Sequence, residues 1–195
     1  MIKENIRDAE QGKQIGWYSG VEEKNILKAL RKYSVKGKKG LVIGSEKPWV
    51  EALALMAEVE HLTTIEYGKI ISSIPEISTL TPPEAAELFL SGKFELADFV
   101  ISFSSIEHSG LGRYGDSLNP YGDLEATAQV WCMLKPGGYF FIGVMTSDRC
   151  FLEYNAHRYY GPQRYKHLAT NFEQIEKVDD YGVLQPVFVL RKQMN

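Results

Sequence analysis

Glu107 and His108 stand side by side just beyond ADFVISF, an apolar run with the composition of a buried strand. Imidazole ionises near neutrality, so a histidine placed there can take a proton from a sugar or phosphate hydroxyl. The same pair can instead only tie loop to helix by hydrogen bonds. The 109–123 segment that follows is rich in glycine and carries Arg113, Tyr114, Asp116, Asn119, Tyr121 and Asp123. Loops of that length in a compact domain are usually functional or mobile. Asp116 is a candidate general base, and Arg113, with Tyr114 beside it, a candidate clamp for a phosphate or carboxylate. A solvated lid is the plainer reading. The other concentration of reactive side chains is HRYYGPQR, residues 157–164. There His157 joins His108 and Asp116 as a candidate catalytic group. Arg158, Tyr160 and Arg164 suit an anionic, hydroxyl-bearing ligand, or else sit on the surface around a helix cap.

A second chemistry, nucleoside recognition, lies in the spacing of a glycine and a carboxylate. The run LVI ends at Gly44, where the missing Cβ lets a ligand approach the backbone. Gly44 and the following Glu46 are candidate contacts, although Gly44 can equally serve only a tight turn. Glu66 lies 22 residues after Gly44, at the end of LTTI, near the ~20-residue spacing at which an acidic side chain meets a ribose. A carboxylate accepts from two vicinal hydroxyls together, which adds orientation to affinity; the bland alternative is an exposed strand-end glutamate.

The elements that must position these groups follow from periodicity. Apolar residues at helical spacing predict a helix over 26–33, and the wholly apolar 41–43 predicts a strand covered on both faces. Pro48 fits the first position of a helix over 49–59. Strands are expected over 62–65 and 76–80, a helix from Pro83 to about residue 90, then the strand 97–103. A helix over 124–134 closes at KPGG before the strand 139–144. Runs at 172–178 and 183–191 flank DDYG, residues 179–182, as an antiparallel hairpin. Strands alternating with helices imply a doubly wound, mostly parallel α/β sheet of Rossmann type, ending in an antiparallel hairpin strand. No linker divides the chain, so a single domain over 1–195 with a helical lead-in over 1–35 is expected.

Composition narrows the partners. The formal net charge is −3, and the dense basic stretch Lys36, Lys38, Lys39 is interleaved with glycine, which reads as a solvated loop rather than a nucleic-acid surface. No run reaches the ~18 apolar residues of a membrane span. The polar first 14 residues do not resemble the apolar core of a signal peptide. Cys132 and Cys150 form no C-x-x-C, and His61 and His167 stand alone, so neither a disulfide framework nor a metal site is expected. A cytoplasmic protein acting on a small molecule is the default, and a homodimer is compatible with it. G-x-G-x-x-G is absent, which speaks against a nicotinamide dehydrogenase.

In order, LVIGSEKPW, the acidic strand end TTIEYGK, FVISFSSIEH, LKPGGYFFIGV and the terminal hairpin resemble the class I S-adenosylmethionine (SAM) methyltransferases, from about residue 41 onward. GSEKPWVE, IEHSGLGRYGD and HRYYGPQR are similar to an uncharacterised methyltransferase-like family of unknown function. The resemblance implies SAM as cofactor, with Phe103 and Ser104 beside its amino-acid and sulfonium end. It implies O-methylation of a small polar or phosphorylated substrate, such as a sugar. The usual second and third loop glycines are replaced by Ser45, Glu46 and Lys47, which leaves two alternatives open: a binding module without catalysis, or an enzyme for a nucleotide-sugar or phosphorylated ligand in the same cleft.

Overall fold

The computed structural model describes residues 1–16, 18, 20–180 and 182–194. Two helices lead in, α1 (Ile2–Glu10) and α2 (Val21–Lys32). Then come β1 (Lys39–Ile43), α3 (Trp49–Met56), β2 (His61–Ile65), β3 (Ile77–Leu80), α4 (Pro82–Leu90) and β4 (Ala97–Phe103). After a single 3-10 turn at Ile106–His108 follow α5 (Gly122–Met133), β5 (Leu134–Gly143), the short β6 (Phe151–Leu152) and β7 (Arg158–Tyr159), α6 (Pro162–Leu168), β8 (Phe172–Val178) and β9 (Val187–Lys192). The seven long strands form one sheet in the order β3-β2-β1-β4-β5-β9-β8. The first five run parallel, and β9 enters antiparallel between β5 and β8. This is the α/β, mostly parallel sheet with a closing hairpin that the pattern implies.

Burial explains why the central strands are so apolar. Phe99, Val100 and Ile101 of β4 and Phe140, Phe141 and Ile142 of β5 are almost wholly shielded from solvent, because helices cover both faces. One core packs α2 and α3 against the sheet through Ile26, Leu30, Leu53 and Phe99; the other packs α5 and α6 through Val130, Leu168 and Phe140. Gly40 of β1 pairs with Phe99 of β4, and a Cβ at Gly40 would lie 2.2 Å from the Phe99 ring. The ring fills the space a side chain would need.

Several boundaries differ from the sequence expectation for identifiable reasons. Within the expected helical lead-in, periodicity picks out only 26–33, and α1 is a further helix there; Ile2 packs against the core, and Asn5 Nδ2 donates to the Pro48 carbonyl at 3.4 Å. Pro48 is the N-cap and Trp49 the first helical residue, and α3 ends at Met56, before the expected 59. Instead of stopping a helix, LKPGG is part of β5. Leu134 pairs with Ala97 and Tyr139 with Phe99, so the residues between them bulge out of the ladder. Asp98 holds the bulge, accepting Lys135 Nζ at 2.8 Å and the Lys39 N–H at 3.1 Å. The second hairpin strand starts at Val187 rather than 183. Residues 183–186 are drawn off the ladder, since the Thr146 N–H and hydroxyl take the Leu184 carbonyl and Gln185 reaches Glu107. Tyr181 of the expected turn lies outside the described residues. Lys39 belongs to β1, and its Nζ and that of Lys36 pair with Glu95 and Glu58.

Gly40→Ala is expected to lower stability by about 2–3 kcal/mol, as overpacking between two shielded strands does. Urea unfolding of the two proteins measures it; a loss within 0.5 kcal/mol of zero (roughly the scatter of surface substitutions) would show that the Phe99 ring can swing aside.

Candidate functional site

β1 connects outward to β2 and β3, whereas β4 connects towards β5, so the chain leaves their carboxyl ends in opposite directions. A crevice opens there in any doubly wound sheet. Here it is a cleft of about 1820 Å³ whose walls come from the β1–α3 turn, the tip of β2, the β4 turn and the 109–123 loop. Gly44 sits at its floor with φ +77°, and a Cβ on it would lie 2.0 Å from Ser105 Oγ. Glycine is therefore demanded by the crossing of the two turns as well as by its backbone angle.

Glu66, at the tip of β2, is half-buried on the cleft wall. Its Oε2 accepts the Ser45 N–H at 2.6 Å, and its Oε1 accepts the Tyr67 N–H at 2.7 Å. Each carboxylate oxygen has two lone-pair sites, so one on each oxygen remains for a ligand. The side chain is held from both sides and does not trail into bulk solvent. Glu46 and Lys47 also border the cleft, and Trp49 forms part of its wall rather than a plug.

The opposite side of the floor is aromatic. Trp49 and Phe103 meet edge to face at 5.3 Å between ring centroids, and Tyr18 joins both at 5.5 and 5.0 Å. Burial pushes the Tyr18 phenol up to about 12, although the Ser104 side chain hydrogen-bonds it. Sequence reasoning missed Tyr18: it lies in GWYSG, which has no periodicity, and only the folded lead-in brings it to the cleft. Ser104 has φ +51°, the left-handed region that non-glycine residues seldom adopt, with its N–H on the Gly143 carbonyl at 3.0 Å. Phe103 and Ser104 both border the cleft.

His108 lies at the far wall. Its Nδ1 is 2.7 Å from the Ala156 carbonyl, so the neutral ring carries its proton there and presents Nε2 as the basic atom. Burial lowers its pKa, the Ala156 contact opposes this, and His157, Arg113 and Arg158 lower it further. The ring of His157 stands 5.6 Å from that of His108, and its pKa is also lowered by burial. Glu107 points the other way, into the protein, and is fully buried. Its Oε1 accepts from Gln185 Nε2 at 2.8 Å, and its Oε2 has no hydrogen-bond partner among the described residues. Burial pushes this carboxyl up to about 7, against the pull of nearby backbone N–H groups, the Ser104 hydroxyl and the Gln185 amide.

The 109–123 loop divides the remaining candidates. Asp116, Arg113 and Tyr114 border the cleft. The Asp116 carboxylate accepts the Gly110 N–H at 2.6 Å and the Tyr114 N–H at 3.3 Å. Burial alone would raise its pKa, but hydrogen bonds from Gly112, Gly110 and Tyr114 hold it below the usual range. A carboxylate so placed organises its loop and is a poor base. Arg113 donates to the Asn155 carbonyl at 3.0 Å. Arg158, Tyr160 and Arg164 do not border the cleft, which corrects the expectation that they face a ligand. Arg158 is buried and donates to the carbonyls of Ser109 at 2.6 Å and Asn119 at 3.2 Å. Arg164 grips both oxygens of the fully buried Asp123, at 2.9 and 2.6 Å, and the Tyr160 hydroxyl donates to the same carboxylate at 2.7 Å. Planar guanidinium groups suited to an anionic ligand are here satisfied by the protein's own carboxylate and carbonyls. Asp123 was read as a loop residue; its sequence neighbourhood carries no signal for this role. Among the described residues no cluster of three or more His, Cys, Asp or Glu can hold a metal, and no helix is long and apolar enough to cross a membrane.

With this geometry in view, a family profile described as "Caenorhabditis protein of unknown function, DUF268" matches residues 37–186. The chain belongs to the DUF268 family. No curated protein matches it. Among solved structures, the DUF268 chain is similar to 1,6-didemethyltoxoflavin-N1-methyltransferase of Burkholderia thailandensis, determined with 1,6-didemethyltoxoflavin and S-adenosylhomocysteine (SAH) bound: TM-score 0.66, 16% identity, 98% of this chain and 87% of that one. It is also similar to the N-methyltransferase NodS of Bradyrhizobium japonicum: TM-score 0.60, 17% identity, 90% of this chain and 98% of that one. An O-methyltransferase family protein of Burkholderia thailandensis aligns at TM-score 0.59 and 9% identity, over 89% of this chain and 57% of that one. The DUF268 chain thus has a class I SAM-dependent methyltransferase-like fold.

Two consequences can be measured. Asp123→Ala leaves buried guanidinium charge without its carboxylate and is expected to cost about 3–5 kcal/mol of stability, with faster proteolysis of the 109–123 loop. An unchanged cleavage pattern would separate the clamp from loop order. For Glu107 the folded pKa is raised, so its contribution is present at low pH and is lost as pH rises through about 7. Glu107→Gln should therefore gain up to about 3 kcal/mol relative to the parent between roughly pH 5 and 8, read by denaturant unfolding at both.

Proposed function

We propose that this protein binds SAM in the cleft between β1 and β4 and methylates a hydroxyl of a small polar acceptor, a sugar being the favoured class. The observation that carries this is Glu66, pinned by two backbone N–H groups beside the Gly44 bend with acceptor sites left on both oxygens. That is the arrangement a nucleoside's paired hydroxyls require. The aromatic wall of Trp49, Phe103 and Tyr18 suits an adjoining portion of the same ligand. When bound, SAM supplies a methyl group already activated on a sulfonium leaving group.

The chain's own part is then positioning and proton management. Reactants held in line gain most of the available acceleration, so only a modest base is needed. His108 fits that task, because the Ala156 carbonyl holds its proton on Nδ1 and burial keeps the ring neutral at physiological pH. His108 takes the acceptor's proton at Nε2 as the new bond forms. Arg113, Tyr114 and His157 border the same side of the cleft and form the acceptor wall. Of the three arginines that suited an anionic ligand, Arg113 alone faces this space, and its guanidinium already serves the Asn155 carbonyl. An uncharged hydroxylated acceptor is therefore favoured over a phosphorylated one.

Saturating SAM, at about a hundred times its Kd, should raise the melting temperature by about 5–10 °C. Glu66→Gln keeps one accepting oxygen for the turn but loses the charge and sets its amide N–H₂ against one of the two backbone N–H groups, and should weaken SAM binding by about 10- to 100-fold with a modest fall in the unliganded melt. Calorimetry without heat and no melting shift at millimolar SAM would remove the assignment. For the transfer itself, SAH release is followed across a panel of free sugars. The acceptors found should react at least about tenfold more slowly with His108→Asn, while SAM affinity is retained.

A further inference from the structure

Glu107 is a buried carboxyl that the mechanism above leaves unused. It is 0% exposed, one oxygen is satisfied by Gln185, and the other has no partner among the described residues. A buried polar atom left unpaired calls for an explanation. Residues on either side of it in sequence, Ser104, Ser105 and His108, all border the cleft, so only the thickness of the β4 turn separates the carboxyl from that space. The groups that face it are neutral or turned aside: the Ser104 hydroxyl and the backbone N–H groups of Ser105 and Glu107 favour its ionised form without carrying charge. Tyr18 approaches from the lead-in and Tyr160 from the end of β7, and both phenols are held protonated by burial. Arg158 donates to the backbone carbonyl of Glu107, not to its side chain, and His108 beside it has a lowered pKa. No ion pair to the carboxyl is formed among the described residues.

A buried carboxylate without a counter-cation is stabilised by a positive charge arriving on the far side of a thin wall, and gains nothing from a neutral one. SAM and its demethylated product SAH differ by a methyl group and by the sulfonium charge. We propose that ionised Glu107 discriminates between them, so that the cleft retains SAM and releases SAH. This rests on the SAM reading of the cleft. The alternative is that Glu107 merely ties Gln185, and with it residues 183–186, to the β4 turn.

The test is titration calorimetry with SAM and with SAH from pH 6 to pH 8, in two buffers of different ionisation enthalpy, on the parent protein and Glu107→Gln. With the carboxyl half-ionised near pH 7, SAM affinity should rise about five-fold over that range while SAH affinity stays level. At pH 7 the parent should release about 0.4 more protons per SAM bound than the variant does. The amine common to both ligands, and every other titrating group, cancel in that difference. Glu107→Gln should also reduce the SAM-to-SAH preference at pH 8 by about tenfold, with SAH affinity kept. A preference that is flat with pH in the parent protein, or that survives Glu107→Gln intact, overturns the proposal. If Glu107→Gln does not fold, a flat preference in the parent still overturns the proposal, and a rise that persists in His108→Asn and in His157→Asn supports it, whereas a rise lost with either histidine overturns it. If neither ligand binds, the SAM reading itself fails, which the data distinguish from binding without pH-dependent preference.

Discussion

Two neighbouring parallel strands whose following segments depart in opposite directions cannot cover their own ends, and everything at the site depends on that gap. β1 and β4 pair over Gly40–Phe99 to Val42–Ile101 and then separate. The turns beyond them nevertheless cross closely enough that Gly44 and Ser105 share a space with no room for a Cβ. The Gly44 N–H on the Ile65 carbonyl and the Ser45 N–H on Glu66 join the first turn to β2, so the glycine bend and the carboxylate move as one unit.

The rim is stabilised by a different kind of interaction. The long 109–123 loop contributes little apolar burial of its own, and its arrangement is fixed by hydrogen bonds to charged side chains. A fully buried Asp123 accepts from Arg164 and Tyr160, while Arg158 supplies donors to the loop carbonyls from beneath. Such an ion network gains little over apolar packing, yet losing any one member leaves an uncompensated charge. It therefore favours one arrangement of the loop over many. Arg158, Arg164 and Asp123, none of which borders the cleft, thus anchor the two ends of the loop that carries Arg113 and Tyr114.

Some local rules are broken in and behind the cleft wall, as they are at Ser34, Glu58, Asn155 and Asn171, which also have positive φ. Ser104 sits in left-handed backbone, Glu107 is a buried acid with an orphan oxygen, and Glu51 in the first turn of α3 is a second buried carboxyl, raised in pKa by burial with Thr64 as a partner. Strain and unpaired polar atoms cost stability and persist only where the surrounding structure over-determines them. The packed strands β4 and β5 on either side provide that determination, being the best-shielded part of the sheet.

Much of this was legible in the chain itself. The largely apolar runs at 41–43, 97–103 and 139–144 read as central strands, because each face needs a covering helix, and the spacing from Gly44 to Glu66 follows from one strand–helix–strand unit. The fold class came from such local periodicity, and the candidates Gly44 and Glu66 from their spacing. The order of the strands and the lining of the rest of the cleft did not. HRYYGPQR reads as a ligand-binding segment because a guanidinium seeks an anion, and nothing local reveals that the anion is Asp123, some 40 residues away. Tyr18 reaches the cleft, and LKPGG joins a strand instead of ending a helix, for the same reason. Periodicity reports which face of an element is covered, whereas the partner of a charged or aromatic side chain is settled only when distant segments are brought together.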